Sequence, residues 1–155
     1  MELSTLFKDI LWTFFISMLP VVELRGAIPA GEALGLPIWI NYIVCVLGNM
    51  LPVPVIFWFA KAVLVQLSKL KKVGPFFAKI IKRADEKALE IAAYEFWGLF
   101  IFVAIPLPGT GAWTGALIAA ALRMRFKKAI LAIGLGVLTS GIIMSLITFG
   151  VSSLF

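Results

Sequence analysis

The stretch PVVELRGAIPAGE, residues Pro20–Glu32, places a carboxylate and a guanidinium two positions apart in sequence that is otherwise apolar enough for a membrane. Glu23 and Arg25 are flanked by residues that interrupt helices, namely Pro20, Gly26, Pro29 and Gly31. Charged side chains at membrane depth are costly and mostly face a cavity or a partner. A break in a helix is tolerated there only where the backbone lines water or protein. The stretch therefore predicts a broken helical hairpin that carries a functional site.

The composition places the whole chain in a membrane. Its 155 residues are 62% hydrophobic and 14% charged, with a mean hydropathy of +1.07. Soluble domains are about 45–50% apolar and about 25% charged. The net charge of +6 comes mainly from two basic stretches, residues 61–87 and 123–128. By the positive-inside rule these stretches are cytoplasmic. We expect one integral membrane domain over residues 1–155.

The residue inventory argues against several function classes. The chain has no histidine, which removes the commonest zinc ligand and the usual near-neutral proton carrier. No residue can complete a hydrolase triad, and Cys45 has no second cysteine to pair with. The basic residues do not interleave with aromatic ones in a soluble fold, as nucleic-acid binding requires. We expect no catalytic residue, no metal, no cofactor and no nucleic-acid partner.

Apolar segments of unequal length define the topology. The four segments are Ile10–Val22, Leu36–Ala60, Phe96–Leu122 and Ala129–Phe155. Spanning the hydrocarbon takes about 20 apolar residues, which the second and fourth segments provide. The first is too short and, because VVELRG follows it in place of a cleavage site, is expected to be retained rather than removed as a signal peptide. The third is interrupted by Pro106, Pro108, Gly109 and Gly111. The pattern predicts two transmembrane helices and two re-entrant hairpins.

The two halves of the chain follow the same plan. Basic residues flank the second hairpin on both sides, so it enters from the cytoplasm and the first opens to the other side. Repeat 1 covers about residues 9–60 and repeat 2 about residues 93–155, and Pro20 aligns with Pro106. A cytoplasmic, basic, amphipathic helix over about residues 61–92 joins them, as a connector at the surface or a sensor of head groups. The fold class is thus all-α with two inverted repeats, a transporter pattern.

The first hairpin supplies charged candidate residues. Arg25, with Gly26 beside it, could bind a phosphate through its planar fork of donors, assisted by helix N-termini. Glu23 could orient Arg25 or act as a proton-coupling group, because burial favours a neutral carboxyl. Glu32 is a second candidate for proton coupling, although near the interface it is more simply solvated. The structural alternative is an internal ion pair that holds the hairpin in shape.

The second hairpin turns at IPLPGTGAWTGA, residues 105–116. This loop follows no strand and lacks the Lys-Ser/Thr ending, so nucleotide binding is not expected. Two alternatives remain open. Gly111 and Gly115 could let helices approach closely, or the broken backbone could offer free amides to a head group. The second alternative makes binding residues of Pro108, Gly109, Thr110, Gly111 and Trp113, with Pro106 in support.

Other residues have expected structural roles. Pro20 and Pro29 shape the first hairpin, and Asn49 is expected to satisfy hairpin backbone. The small-residue stripe Ala132, Gly136 and Ser140 predicts a packing seam, which could also hold a homodimer. Trp12, Trp39 and Trp58 suit contact with lipid or its interface.

At ELRGAIPAGE and IPLPGTGAWTGA the chain resembles the small multidrug export family of bacterial and archaeal membrane proteins, and the resemblance covers nearly its whole length. That family looks distantly related to the DedA-like or VTT group, which includes polyprenyl-phosphate translocases and lipid scramblases. The relationship implies opposed re-entrant hairpins in a prokaryotic cytoplasmic membrane and movement of an anionic head group. Glu23 and Arg25 match the charged positions of the first hairpin. Many DedA-like proteins carry an arginine near the second Pro-Gly turn, where this chain has Thr110.

These observations support three functional hypotheses. The leading one is a transporter or flippase of an anionic amphiphile, with undecaprenyl phosphate as the first candidate and membrane lipid as the partner. The second is a proton-coupled small multidrug exporter with Glu23 as the exchanging carboxylate. The third is a non-transporting membrane scaffold.

Overall fold

The computed structural model describes residues 3–68, 75 and 94–153, and these residues form helices and turns without a β-strand. The helices are α1 Leu3–Ser17, α2 Glu23–Ala33, α3 Ile38–Met50, α4 Val53–Ser68, α5 Tyr94–Ala104, α6 Ala112–Ala121 and α7 Phe126–Ser152. The all-helical prediction is confirmed over this part of the chain. The predicted amphipathic linker over about residues 61–92 begins within α4, and beyond Ser68 only residue 75 of it is among the described residues.

Within the described part of the chain, two helical stretches are long and apolar enough to cross a membrane, Ile38–Gln66 and Phe126–Ser152. The first combines α3 and α4 and continues past the predicted end at Ala60. It is interrupted at Leu51 and Pro52, where the backbone forms a turn. Pro52 and Pro54 have no N–H and cannot donate to the carbonyls four residues earlier, which accounts for the interruption. The prediction of two membrane-spanning helices is therefore confirmed by length and composition.

The first hairpin differs from its prediction, because α2 runs unbroken through Gly26, Pro29 and Gly31. The break lies before α2, in the turn that follows Ser17. A side chain from α3 supports the helix around its proline, since Asn41 Nδ2 donates to the Ile28 carbonyl at 2.7 Å. Gly31 makes room for this contact, because a Cβ there would overlap the Asn41 side chain.

Matching turns lead into α3 and α7. The second residue after the end of the preceding short helix is left-handed in both, with φ +80° at Gly35 and +54° at Arg123. The N–H of the next residue then donates to a carbonyl of that helix at 3.0 Å in both turns. This is the Schellman arrangement that commonly ends helices. An extended residue, Pro37 or Arg125, then starts the following helix.

The small-residue stripe of α7 is used inside the chain. Ala132, Gly136 and Ser140 are all buried. A Cβ on Gly136 would lie 2.7 Å from Val103 Cβ and 3.0 Å from the Phe100 carbonyl oxygen, so α5 occupies this face. The predicted packing seam is therefore internal, and the homodimer, which stays a prediction, would need another face.

The predicted lipid-facing tryptophans lie on the outside of the molecule. Trp12 is 62% exposed, Trp39 75% and Trp58 61%. Such exposure of large aromatic rings suits contact with lipid or its interface.

Candidate functional site

The start of α2 meets the segment between α5 and α6, and this junction brings the two sequence motifs together. Glu23, the first residue of α2, is only 4% exposed and has a left-handed φ of 49°. Its Oε1 accepts the backbone N–H of Trp113 at 3.1 Å. The first amides of a helix have no acceptor within the helix, and the helix dipole favours an anion there. Glu23 thus caps α6 from the other half of the chain.

Gly111 allows the carboxylate to reach the start of α6. A Cβ at this position would overlap the carboxyl group of Glu23. The backbone of Gly111 is extended, with φ −86° and ψ −167°, a conformation open to any residue. The glycine is needed here for space rather than for its backbone freedom.

Arg25 reaches the same segment through its guanidinium. Its Nη2 donates to Thr110 Oγ1 at 2.8 Å and lies 3.4 Å from the Ile105 carbonyl oxygen. Thr110 is oriented by the carbonyls of its own loop, at 2.7 Å from Ile105 O and 2.9 Å from Leu107 O. The Nε of Arg25 is buried and has no hydrogen-bond partner among the described residues. The guanidinium therefore keeps an unused donor.

The internal ion pair that the sequence suggested is only part of the arrangement, because Glu23 and Arg25 attract each other and also bond to the opposite half of the molecule. The carboxylate bonds to the backbone of α6, and the guanidinium bonds to the loop before α6. Both charges thus hold the two halves of the molecule together. Because the groups that satisfy them are 85 and 90 residues away, sequence spacing alone gave no sign of this arrangement.

Trp113 adds a third link across the junction. Its indole Nε1–H donates to the Met18 carbonyl at 3.1 Å, in the turn between α1 and α2. The backbone and side chain of one residue thus contact both ends of that turn. Of the predicted binding residues, the structure brings together Glu23, Arg25, Thr110, Gly111 and Trp113.

The remaining candidates lie away from these contacts. Pro108 and Gly109 are exposed, and Gly109 has a φ of +82° that suits glycine at a tight turn. Gly26 faces its own helix, because a Cβ there would overlap Val22. Glu32 lies near the other end of α2, about 13 Å along the axis from Glu23 at 1.5 Å per residue. The other supporting prolines lie in the turns, Pro20 before α2 and Pro106 after α5, while Pro29 is inside α2.

The sequence predicted that the Asn49 amide satisfies backbone of the first hairpin, but in the structure Asn41 has that role. Asn41 donates to α2 through Nδ2, and its Oδ1 accepts from Cys45 Sγ at 3.3 Å. Asn49 is fully buried, yet neither its Oδ1 nor its Nδ2 has a partner among the described residues. The sequence shows only an asparagine within an apolar span, and this description fits Asn41 and Asn49 equally well. Residues 3–68 and 94–153 contain no group of three metal-ligating side chains.

Comparison with known proteins matches residues 23–143 to the family described as "Putative small multi-drug export protein". The chain belongs to this family. The match begins at Glu23 and includes both segments of the junction, so the resemblance drawn from the motifs is confirmed. The description of the family implies a transporter rather than an enzyme, and the two apolar helices of membrane-spanning length agree with a membrane protein. Neither curated proteins nor solved structures give a match.

Proposed function

We propose that this protein transports an anionic amphiphile across the cytoplasmic membrane of a prokaryote, with the substrate bound at the junction between α2 and residues 105–113. A polyprenyl phosphate such as undecaprenyl phosphate is the leading candidate, as the proposed kinship with DedA-like proteins implies. The observation that carries the proposal is the unequal state of the two charges. Glu23 accepts a backbone N–H, whereas the buried Nε of Arg25 has no acceptor in the described residues. The hydrogen-bond donor without an acceptor belongs to a cation, so an anion is the ligand that would satisfy it.

A pair of opposed re-entrant hairpins is part of this proposal. The α2 helix has 11 residues, which extend about 16 Å at 1.5 Å per residue, roughly half of a bilayer core. The α5 and α6 helices are also short and apolar. Lengths of this kind suit segments that enter the membrane and return.

An inverted repeat is supported by equivalent contacts in the two halves. Gly48 of α3 packs on the Phe14 carbonyl of α1, and Gly136 of α7 packs on the Phe100 carbonyl of α5. The turns at Gly35 and Arg123 form a second matching pair, described above.

The same spacing relates the two sides of the junction. Glu23 and Gly111 are as far apart in the sequence as Gly35 and Arg123. Glu23 and Gly111 also contact each other. Equivalent starts of the two short helices thus meet at the centre of the proposed repeat. In inverted-repeat transporters the binding site lies at such a meeting point, near the midplane.

The contacts at the junction define what must change during transport. Access can pass from one side to the other only if the links from Glu23, Arg25 and Trp113 to the opposite half exchange. A phosphate oxygen is a stronger acceptor for a guanidinium than the Thr110 hydroxyl. Substrate binding at Arg25 would therefore compete with one of the links that hold the junction closed.

Translocation in liposomes tests the proposal. Purified protein is reconstituted with a fluorescent short-chain polyprenyl phosphate, and movement is followed with a membrane-impermeant quencher. Arg25→Ala is expected to lower the rate by about 10-fold or more, the value of a charged hydrogen bond. Arg125→Ala, an exposed arginine at the start of α7, is the matched control and is expected to keep the rate. Undiminished transport by Arg25→Ala would reject the head-group role.

A second candidate function is proton-coupled export of cationic drugs, which the family description and the buried carboxylate of Glu23 favour. Under this alternative, dye efflux depends on Glu23 and survives Arg25→Ala. Unchanged resistance to cationic dyes on overexpression would exclude it. A scaffold without transport activity instead predicts that Glu23→Gln and Arg25→Ala are tolerated together in a protein that still folds.

A further inference from the structure

The carboxamide of Asn49 is a buried polar group that forms no hydrogen bond to the described residues. Asn41, two turns earlier in α3, is equally buried, and both of its amide atoms are hydrogen-bonded. Asn49 is 0% exposed, and neither of its amide atoms has a partner among the described residues. A buried polar group without a partner lowers stability, and few such groups occur in native structures. The comparison within one helix therefore points to a role for Asn49 other than folding.

The depth of Asn49 follows from the packing of α2 on α3. The bond from Asn41 to the Ile28 carbonyl fixes these helices side by side, and the short turn between them makes them antiparallel. Eight residues beyond Asn41, Asn49 lies about 12 Å further along α3 at 1.5 Å per residue. In the opposite chain direction, α2 begins at Glu23, five residues or about 8 Å from Ile28, so Asn49 lies beyond the start of α2. Asn49 is thus level with the turn that precedes Glu23.

Two contacts independently place Asn49 at the level of this turn. Gly48, the neighbour of Asn49, packs against the end of α1, where a Cβ would lie 2.6 Å from the Phe14 carbonyl oxygen. The next residues form the turn whose Met18 carbonyl accepts the indole N–H of Trp113. Asn49 therefore lies on α3 at the level of the same turn that Trp113 of α6 contacts.

We propose that Asn49 is a substrate-binding residue whose Nδ2 donates to an oxygen of the anionic head group held by Arg25. The contact forms when the links across the junction exchange, because the residue is fully enclosed in the arrangement described above. A carboxamide offers two N–H donors beside the guanidinium, which suits an oxyanion with several acceptor oxygens. This inference rests on the proposed function and names a second group of the same site.

Matched alanine variants separate a binding role from a structural one. Asn41→Ala and Asn49→Ala remove the same group from two fully buried positions of α3. Asn41→Ala is expected to lower the melting temperature in detergent by roughly 5 °C or more, because its hydrogen bonds are lost. Asn49→Ala is expected to keep the melting temperature within about 2 °C of the wild type or to raise it, since no bond is lost and an unpaired polar group is removed. An equal loss at both positions would overturn the inference.

Binding of a short-chain polyprenyl phosphate, followed by native mass spectrometry, supplies the second readout. Asn49→Ala is expected to weaken binding by about 10-fold, the value of one hydrogen bond to a charged group. Asn49→Ser, which keeps a hydroxyl donor, is expected to bind between the alanine variant and the wild type. It also replaces Asn49→Ala if that protein fails to fold. The neutral prenyl alcohol should bind all variants alike.

The outcomes distinguish this inference from the proposed function. Equal binding by wild type, Asn49→Ala and Asn49→Ser, with a loss in Arg25→Ala, overturns the role of Asn49 and leaves the anion site intact. A wild-type protein that prefers the alcohol to the phosphate rejects the anion site itself, and the role of Asn49 fails with it.

Discussion

The carboxylate of Glu23 accepts the backbone N–H of Trp113 at 3.1 Å, although 90 residues of chain separate them. This bond joins the first residue of α2 to the first turn of α6. Without water nearby, each unsatisfied backbone group in a membrane costs several kcal/mol. Glu23 supplies the acceptor that the start of α6 otherwise lacks, and the helix end supplies partial positive charge for the carboxylate. The same hydrogen bond therefore joins the two halves of the molecule at the junction and provides an acceptor for the start of α6.

Removal of the Glu23 carboxyl should open the end of α6. Glu23→Ala leaves the Trp113 amide without its acceptor and is expected to cost about 1–3 kcal/mol of unfolding free energy. Glu23→Gln keeps an acceptor oxygen and should cost clearly less. Thermal unfolding in detergent micelles measures both. Glu32→Ala, at the half-buried far end of α2, serves as the control, and an equal loss there would contradict the capping role.

Gly111 should not tolerate a side chain, because a Cβ would occupy the position of the Glu23 carboxyl. Gly111→Ala is expected to displace that group and to cost about 1–3 kcal/mol, as overpacking typically does. Gly98→Ala is the matched control. Among the described residues, no atom outside the local helix backbone lies within 4 Å of a Cβ at that position in α5, so alanine should stabilise the helix by about 0.5–1 kcal/mol. If both glycines accept alanine equally well in chemical unfolding, the close contact at Gly111 is wrong.

Arg25 and Thr110 should behave as a coupled pair. Their side chains are joined at 2.8 Å, so a double-mutant cycle of Arg25→Ala and Thr110→Val is expected to show a coupling of about 0.5–3 kcal/mol. Thr139→Val provides the comparison, because that hydroxyl bonds to the Leu135 carbonyl of its own helix. Arg25→Ala combined with Thr139→Val should be additive within about 0.5 kcal/mol. Additivity of the first pair in equilibrium unfolding would argue against the bond.

The sequence could identify the two segments of the site but not their partnership. Charges among helix-breaking residues drew attention to Glu23 and Arg25, and the Pro-Gly loop drew attention to residues 105–111. Both predictions depend only on the chemistry of neighbouring residues, which the sequence shows directly. The bond from Glu23 to the start of α6 depends on how the helices pack, and no local pattern in the sequence predicts that packing.

Local rules also misplaced the break in the first hairpin. Gly26, Pro29 and Gly31 each weaken a helix on propensity alone, yet α2 continues through all three. The packing of Asn41 on α2 outweighs that preference, and Gly31 is required for the close approach. Asn41 and Asn49 look equivalent in sequence, because only the packed structure shows which amide is hydrogen-bonded.

The internal seam between α5 and α7 can be tested by compensation. Gly136→Ala would bring a Cβ within 2.7 Å of Val103 Cβ and is expected to cost about 1–3 kcal/mol. Val103→Ala removes the Cγ1 contact at 2.9 Å but leaves Val103 Cβ and the Phe100 carbonyl oxygen in place, so the double variant should recover little of this loss. Rescue by Val103→Ala is expected instead for Gly115→Ala, because a Cβ at Gly115 would lie 2.7 Å from Val103 Cγ2, which the second change removes, and its next neighbour, Ile133 Cγ1, is at 3.5 Å. If Gly136→Ala changed the oligomeric state while leaving monomer stability intact, the stripe would be an intermolecular surface and its assignment to the interior would fail.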